Sequence, residues 1–369
     1  MHGPISDILA DRFTVRGVQL LRFDAHLRRR ALAILKKLES ELVAQIAQFD
    51  PYGPSRTVYQ QTRLDALLRW ARATIASRYR TIRDGQTRQL EGLVDDEATR
   101  TADLINRAVG AEVMSAGVTE TQLAQIVSGT LIEGSPAASW WGEQSKALQR
   151  RFTNQMQMGA IRGETVDELV RRVRGTRANG YTDGIMQTSR REAQALVRTA
   201  VQGVSNGARM AVFRANDDVV RGVQALVTLD GRTTEICIAR SGAAWDLEGA
   251  PLPESTRQEP FPGYPPWHWG CRTTLIAVLR TVKEMLGLVG SRKATTLRAL
   301  PKATQSSMDG QVAASLTYEQ WLKTKPESFQ RDVLGRGKWE LWQAGGLTLS
   351  ELIDQSGRPL SLEQLRQAA

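Results

Sequence analysis

Asp230-Gly231-Arg232-Thr233-Thr234-Glu235-Ile236-Cys237, followed further along by Pro265-Pro266-Trp267-His268-Trp269-Gly270-Cys271-Arg272, is the most chemically pointed part of the chain. His268 and Cys271 stand three apart beside Gly270, a residue that permits a tight bend, so one short turn can offer two ligands to a single metal ion. Cys237 reads as the end of a strand and supplies a third ligand; Asp230 is the best fourth, with Glu235 behind it. Two strands that each end in a ligand-bearing turn predict a small β knuckle of the zinc-ribbon kind around one structural zinc. The same residues admit other readings. Cys237 and Cys271 also suit a pair of buried thiols or a disulfide, and His268 suits a hydrogen-bonded place in a cluster with Trp267 and Trp269.

The segments on either side of these turns read as strands. Val219 to Leu229 alternates β-branched and small residues, and Thr273 to Leu279 repeats the pattern, while residues 241–266 hold too much glycine and proline for a long regular element. A long helix precedes them, from about Ser189 to Ala215, with Ser189 and Glu192 spaced as a capping box. Before that, Met156 to Gly175 reads as two helices broken at Gly163, the second capped by Thr165 with Glu168, and Arg174 to Gly184 reads as a loop or hinge.

The first 150 residues carry helical periodicity. Leu20, Phe23, Leu27, Ile34, Leu38, Leu42, Ile46 and Phe49 recur in steps of three, four or seven and define one apolar stripe, with Arg28, Arg29, Lys36, Lys37 and Glu41 opposite. Asp50-Pro51-Tyr52-Gly53-Pro54 is expected to stop this helix, because proline lacks the amide hydrogen that the ladder needs. A second helix carries Leu64, Leu67, Leu68, Ile75, Tyr79 and Ile82, and a third, from about Gln86 to Ala108, carries Leu90, Leu93, Val94, Leu104 and Ile105. The expected architecture is mainly α with a small α+β central part. It comprises an elongated helical region over 1–150, the knuckle-bearing domain over 151–282, a Ser/Thr/Ala/Gly-rich linker over 283–316 and a small helical unit over 317–369, with caps at Thr348/Glu351 and Ser361/Gln364.

Composition limits the function classes. No apolar run is long enough to span a bilayer, and the opening segment, with Asp7 and Asp11, lacks the basic and apolar parts of a secretory signal. Two cysteines exclude a disulfide-built scaffold. The net charge of +10, from 49 Lys and Arg against 39 Asp and Glu, favours a polyanionic partner. Candidate phosphate contacts are Arg28, Arg29, Arg30, Lys36, Lys37, Arg150 and Arg151, with Arg78, Arg80, Arg171 and Arg172 beside them. There is no phosphate-cradling glycine loop and no Gly-x-Ser-x-Gly, and the other two histidines are His2 and His26. An enzyme is therefore not expected. The rival reading is a zinc-dependent hydrolase or nuclease using Cys237, His268 and Cys271, with Glu235 as base.

The two turns also carry a family resemblance. They are similar to the pattern Asp-x-Arg-Thr-Cys-x-x-Cys, then Pro-x-His-x-x-Cys-Arg-Cys, of the Mu F-like phage head morphogenesis, or minor head, proteins. Asp230, Arg232, Thr233 and Cys237 match its first half, and Pro266, His268, Cys271 and Arg272 its second. Thr234 and Thr273 stand where that pattern has cysteines. Ala195-Leu196-Val197-Arg198-Thr199-Ala200 and Asn206-Gly207-Ala208-Arg209 resemble the family's preceding helix, and Tyr318-Glu319-Gln320-Trp321-Leu322, Phe329-Gln330, Val333-Leu334-Gly335 and Gly357-Arg358-Pro359-Leu360 resemble its tail, so the likeness covers about residues 155–367. It implies a minor capsid protein of a tailed bacteriophage, made in the bacterial cytoplasm and held inside the virion at the portal vertex. The implied partners are the portal protein oligomer, major capsid or scaffold proteins, and packaged double-stranded DNA, with roles in DNA packaging and DNA ejection and no membrane contact before infection.

Overall fold

The computed structural model describes residues 4–49, 61–281, 304–308, 310–313 and 316–368. The expected helix stop at Asp50–Pro54 and most of the linker lie outside them. The described chain is mainly helical, with small antiparallel sheets. Its first elements are α1 (Pro4–Phe49), α2 (Gln61–Val109) and α3 (Glu120–Gly129), a hairpin of β1 (Leu131–Ile132) and β2 (Ser135–Pro136), then α4 (Ala137–Ile161), α5 (Val166–Arg174) and α6 (Ile185–Ala215). After these come β3 (Val220–Leu226), the single turn α7 (Glu235–Ile238), β4 (Ala244–Asp246) and β5 (Thr274–Leu279). Within the segment read as a linker, β6 (Thr304–Ser307) and β7 (Gly310–Ala313) pair as a hairpin. Short helices at Tyr318–Lys323, Glu327–Leu334, Arg336–Gln343 and Leu362–Ala368 complete it. Among the described residues no helix is long and apolar enough to cross a membrane.

The two helices read between Leu64 and Ala108 are one continuous helix, α2. Gly85 and Gly92 lie inside it, and a helical glycine costs only about 1 kcal/mol, which the buried positions of α2 outweigh. Leu64, Leu67, Leu68, Ile75, Tyr79 and Ile82 are buried as expected. So are Leu20, Leu27, Leu38, Leu42 and Ile46 of α1, joined by Ala31 and Leu35, while Phe23 and Ile34 are half-buried. The Thr165/Glu168 capping box is formed, and Gly163 takes φ 68° at the break before it. Ser189 caps nothing: α6 begins earlier, at Ile185, and the Ser189 hydroxyl donates to the Ile185 carbonyl within the helix.

The chain divides into two compact units, each assembled from separated segments. One comprises Met1–Leu21, Gly92–Val127 and Gln202–Ala369; the other comprises Arg22–Glu91 and Ser128–Val201. In the first unit β3 is the central strand of the order β4-β3-β5, and both neighbours run antiparallel to it. One apolar core, with Phe13, Ile105, Phe213, Val223, Trp245 and Leu275, packs helical segments against this sheet. A second core joins Cys237, Ile238 and Cys271 to Tyr318, Trp321, Leu322, Leu349 and Leu352 from the C-terminal segment. In the other unit Leu35, Leu38, Ile75, Tyr79, Trp141, Leu148 and Phe152 are buried, and Tyr79 packs on Trp141 at 6.2 Å between ring centroids.

Candidate metal centre

The sheet register brings the two ligand-bearing turns together. Leu226, at the end of β3, pairs with Thr274, at the start of β5. The chain leaving β3 and the chain entering β5 therefore emerge at the same end of an antiparallel pair. Two polar side chains of α6 hold this junction. Asn206 accepts from the Leu275 amide at 3.0 Å and donates to the Thr273 carbonyl at 3.1 Å, and Gln202 donates to the same carbonyl at 2.7 Å.

On the β3 side, Asp230 accepts from the Arg232 amide at 3.0 Å and Thr233 donates to the Thr228 carbonyl at 2.6 Å, closing a turn that leads into α7. Cys237 sits on this helical turn, its amide bonded to the Thr234 carbonyl at 2.9 Å. It does not end a strand, so the ribbon-like arrangement of two strands with ligand-bearing ends is not what holds it. On the β5 side, the Cys271 amide donates to the His268 carbonyl at 3.2 Å, and Gly270 takes the φ of 72° that the bend requires.

Cys237, His268 and Cys271 converge. Their ligand atoms lie within 4.8 Å of one another, with Cys237 Sγ 3.7 Å from Cys271 Sγ and 3.1 Å from His268 Nε2. Both thiols are buried. His268 Nδ1 lies 2.9 Å from the Trp269 carbonyl, an acceptor only, so that nitrogen carries a hydrogen and Nε2 is the atom turned to the sulfurs. Metal-binding histidines are oriented by this same kind of backbone bond. Ligands about 2.1–2.3 Å from a tetrahedral ion sit about 3.5–3.8 Å apart, so the sulfur pair already has the spacing of two ligands and the imidazole needs only a small shift. The donor set fits a thiophilic ion such as zinc.

The two sulfurs titrate as one pair. The hydrogen bond with Cys271, aided by burial, pushes the Cys237 thiol up. The hydrogen bond it shares with Cys237, together with His268, pulls Cys271 well down despite its burial. Burial opposes the charged form of His268, but the hydrogen bond and charge of Cys271 outweigh it and raise the imidazole.

Around these three, the threonines at the two departing positions face the same spot. Thr234 Oγ1 lies 2.9 Å from His268 Nε2, and the Thr273 hydroxyl donates to Cys237 Sγ at 3.1 Å. A small pocket lined by both threonines, Arg232 and Arg272 opens over the cluster. Asp230, read as the fourth ligand, is engaged elsewhere. Arg272 donates to its two carboxylate oxygens at 2.5 and 2.7 Å, and it is not among the three converging side chains. Glu235, the base of the hydrolase reading, takes Lys338 Nζ on both oxygens at 2.7 Å. The sequence offered no signal for Lys338, which lies 103 residues away, nor for Tyr318, whose hydroxyl donates to the Asp230 carbonyl at 2.8 Å.

Residues 149–276 match the family described as Phage Mu protein F like protein. The matched segment begins within α4, contains α5, α6, β3, α7 and β4, and ends in β5, so both turns of the Cys-His-Cys cluster fall inside it. It supports the resemblance read from those turns. No curated protein and no solved structure matches the chain.

The candidate phosphate contacts lie outside this cluster and divide into two groups. Arg28 is bonded to Asp24 at 2.9 Å and Arg151 to Glu192 at 2.9 and 2.6 Å, both half-buried. Arg78 is similarly held by Glu41, and Arg172 by Glu164. Arg29, Arg30, Lys36, Lys37, Arg80, Arg150 and Arg171 are exposed.

Proposed function

We propose that this chain is a minor head protein of a tailed bacteriophage, a structural component of head assembly that stays within the virion. The match of residues 149–276 to the Mu F-like family carries this reading, and both turns that bear its pattern fall within the matched segment. In this reading the protein associates with the portal oligomer at one vertex and lies beside capsid or scaffold proteins and the packaged genome. Its part in packaging and delivery is mechanical: it occupies a place, and no bond is made or broken.

The Cys237, His268 and Cys271 side chains would hold a structural zinc. The ion would supply a cross-link between the turn after β3 and the turn before β5, which the Asp230–Arg272 ion pair already joins. A threonine hydroxyl or a water would complete the shell. Proteomic quantification of this chain in purified procapsids, filled heads and emptied heads tests the functional reading. A fixed low copy number in procapsids and filled heads is expected. Absence from particles that assemble with full cargo overturns it.

A further inference from the structure

We propose that the outward face of α1 between Arg22 and Lys37 docks the phosphate backbone of duplex DNA. The residues are sorted by sign. Leu27, Ala31, Leu35 and Leu38 are buried, while Arg22, Arg29, Arg30, Lys36 and Lys37 are exposed. At 3.6 residues per turn those five cations fall within one face about 120° wide, opposite the buried leucines. His26 and Ala33, also on this face, add no opposing charge.

The acids of this stretch lie outside that face, Asp24 opposite it and Glu39 and Glu41 on its two flanks, and are already neutralised. Asp24 is buried against Arg28, with Arg198 3.7 Å away. Glu39 is held by Arg190 and lies 3.4 Å from Arg174, and Glu41 takes Arg78. Among the described residues no ion pair involves Arg22, Arg29, Arg30, Lys36 or Lys37, whereas Arg28, on the inward flank, is committed. The excess charge of the chain is therefore partly concentrated in a strip about 22 Å long at 1.5 Å per residue.

A duplex presents one negative charge per about 1.7 Å, so a strip of this length meets several phosphates at once. An acidic protein is the poorer fit. Protein interfaces are anchored by aromatic and apolar groups and are depleted of lysine at their centres, and this face offers only Ala33 as an apolar contact. Phosphate contacts need charge alone and read no sequence. The strip itself follows from the side-chain positions; that the polyanion is DNA rests on the head-protein reading.

The test uses the full chain and fluorescence anisotropy with two 30-bp duplexes of unrelated sequence across a range of NaCl. Equal affinity for both duplexes is expected, falling a few hundredfold between 50 and 200 mM salt, as about five phosphate contacts require. The variant Arg29→Gln/Arg30→Gln/Lys36→Gln/Lys37→Gln, whose replaced side chains are all exposed, should keep the wild-type circular dichroism and lose most of both the affinity and the salt slope. Arg331→Gln/Arg336→Gln, removing exposed cations elsewhere, should change neither. An unaltered slope in the folded quadruple variant overturns the proposal, as does polyglutamate competing as well as duplex at equal charge. Duplex binding that depends on this face, in a chain absent from purified heads, would support the docking surface while removing the head-protein reading.

Discussion

Arg272 forks onto Asp230, one guanidinium nitrogen on each carboxylate oxygen, and so ties the turn that enters β5 to the turn that leaves β3. The aspartate that looks like a metal ligand in the sequence is thus a brace beside the Cys-His-Cys cluster. Its carbonyl also receives the Tyr318 hydroxyl from the C-terminal segment, so one residue joins three parts of the second core.

This brace should be visible in acid. Burial works against the Asp230 carboxylate, but the Arg272 guanidinium outweighs it and holds its pKa below the ordinary value. A depressed carboxyl pKa contributes stability that is full above the unfolded value of about 4 and is lost as pH falls through the folded value. Asp230→Asn should lower stability at pH 7 by about 1.5–3 kcal/mol, the range for a hydrogen bond to a charged group. The gap between variant and wild type should narrow below about pH 4. Parallel melting curves from pH 7 to pH 3 would remove the brace from the account.

A bound ion should be chemically detectable. Chain purified without chelator should carry close to one zinc by elemental analysis, and Cys271→Ser should lose it together with thermal stability. Cys237→Ser should behave alike, because the two sulfurs lie 3.7 Å apart in one cluster. A wild-type melting curve untouched by complete metal removal would leave a pair of buried thiols as the better reading.

Gly222 offers a test of the sheet alone. It lies in β3 opposite Asp246, next to a register irregularity, and a Cβ there would run into the Trp245 carbonyl. Gly222→Val should therefore destabilise the unit by about 1–3 kcal/mol, as overpacking does, despite valine's preference for strands. A neutral effect on the urea midpoint would mean that β4 can move away.

How far the sequence could lead depended on whether a signal was local. The leucine stripe of α1, the Thr165/Glu168 cap and the strands around Val220 and Leu275 were legible because each rests on residues a few positions apart. The meeting of Cys237 with His268 and Cys271 was legible through their spacing and the resemblance. Cys237 reads as the end of a strand in the sequence because a four-residue helix is too short to show a period. The two helices read between Leu64 and Ala108 are one, α2, and no proline interrupts it. The partners of Asp230 and Glu235 were invisible, since a single Arg or Lys far along the chain carries no mark of what it will touch.

The most deeply buried charges lie away from the cluster, and they give the strongest stability prediction. Arg209 of α6 is fully buried; its Nε donates to Glu97 at 2.6 Å, it also bonds the Thr274 hydroxyl, and its guanidinium lies 4.8 Å from the centre of the Phe13 ring. Arg16 donates to the other oxygen of Glu97 at 2.8 Å and reaches Asp96 at 2.6 Å. One buried carboxylate thus serves two arginines. Glu97→Gln leaves two cations facing each other without it and should cost about 3–5 kcal/mol, the range for breaking a buried pair by removing one partner. Arg209→Met should cost less, because Arg16 still compensates Glu97 and the methionine fills part of the apolar space beside Phe13. The double variant should fall short of the sum of the two, since the groups share one network. Urea midpoints of the four proteins decide this: additive losses, or a larger loss for Arg209→Met than for Glu97→Gln, would show that Glu97 is not the hub.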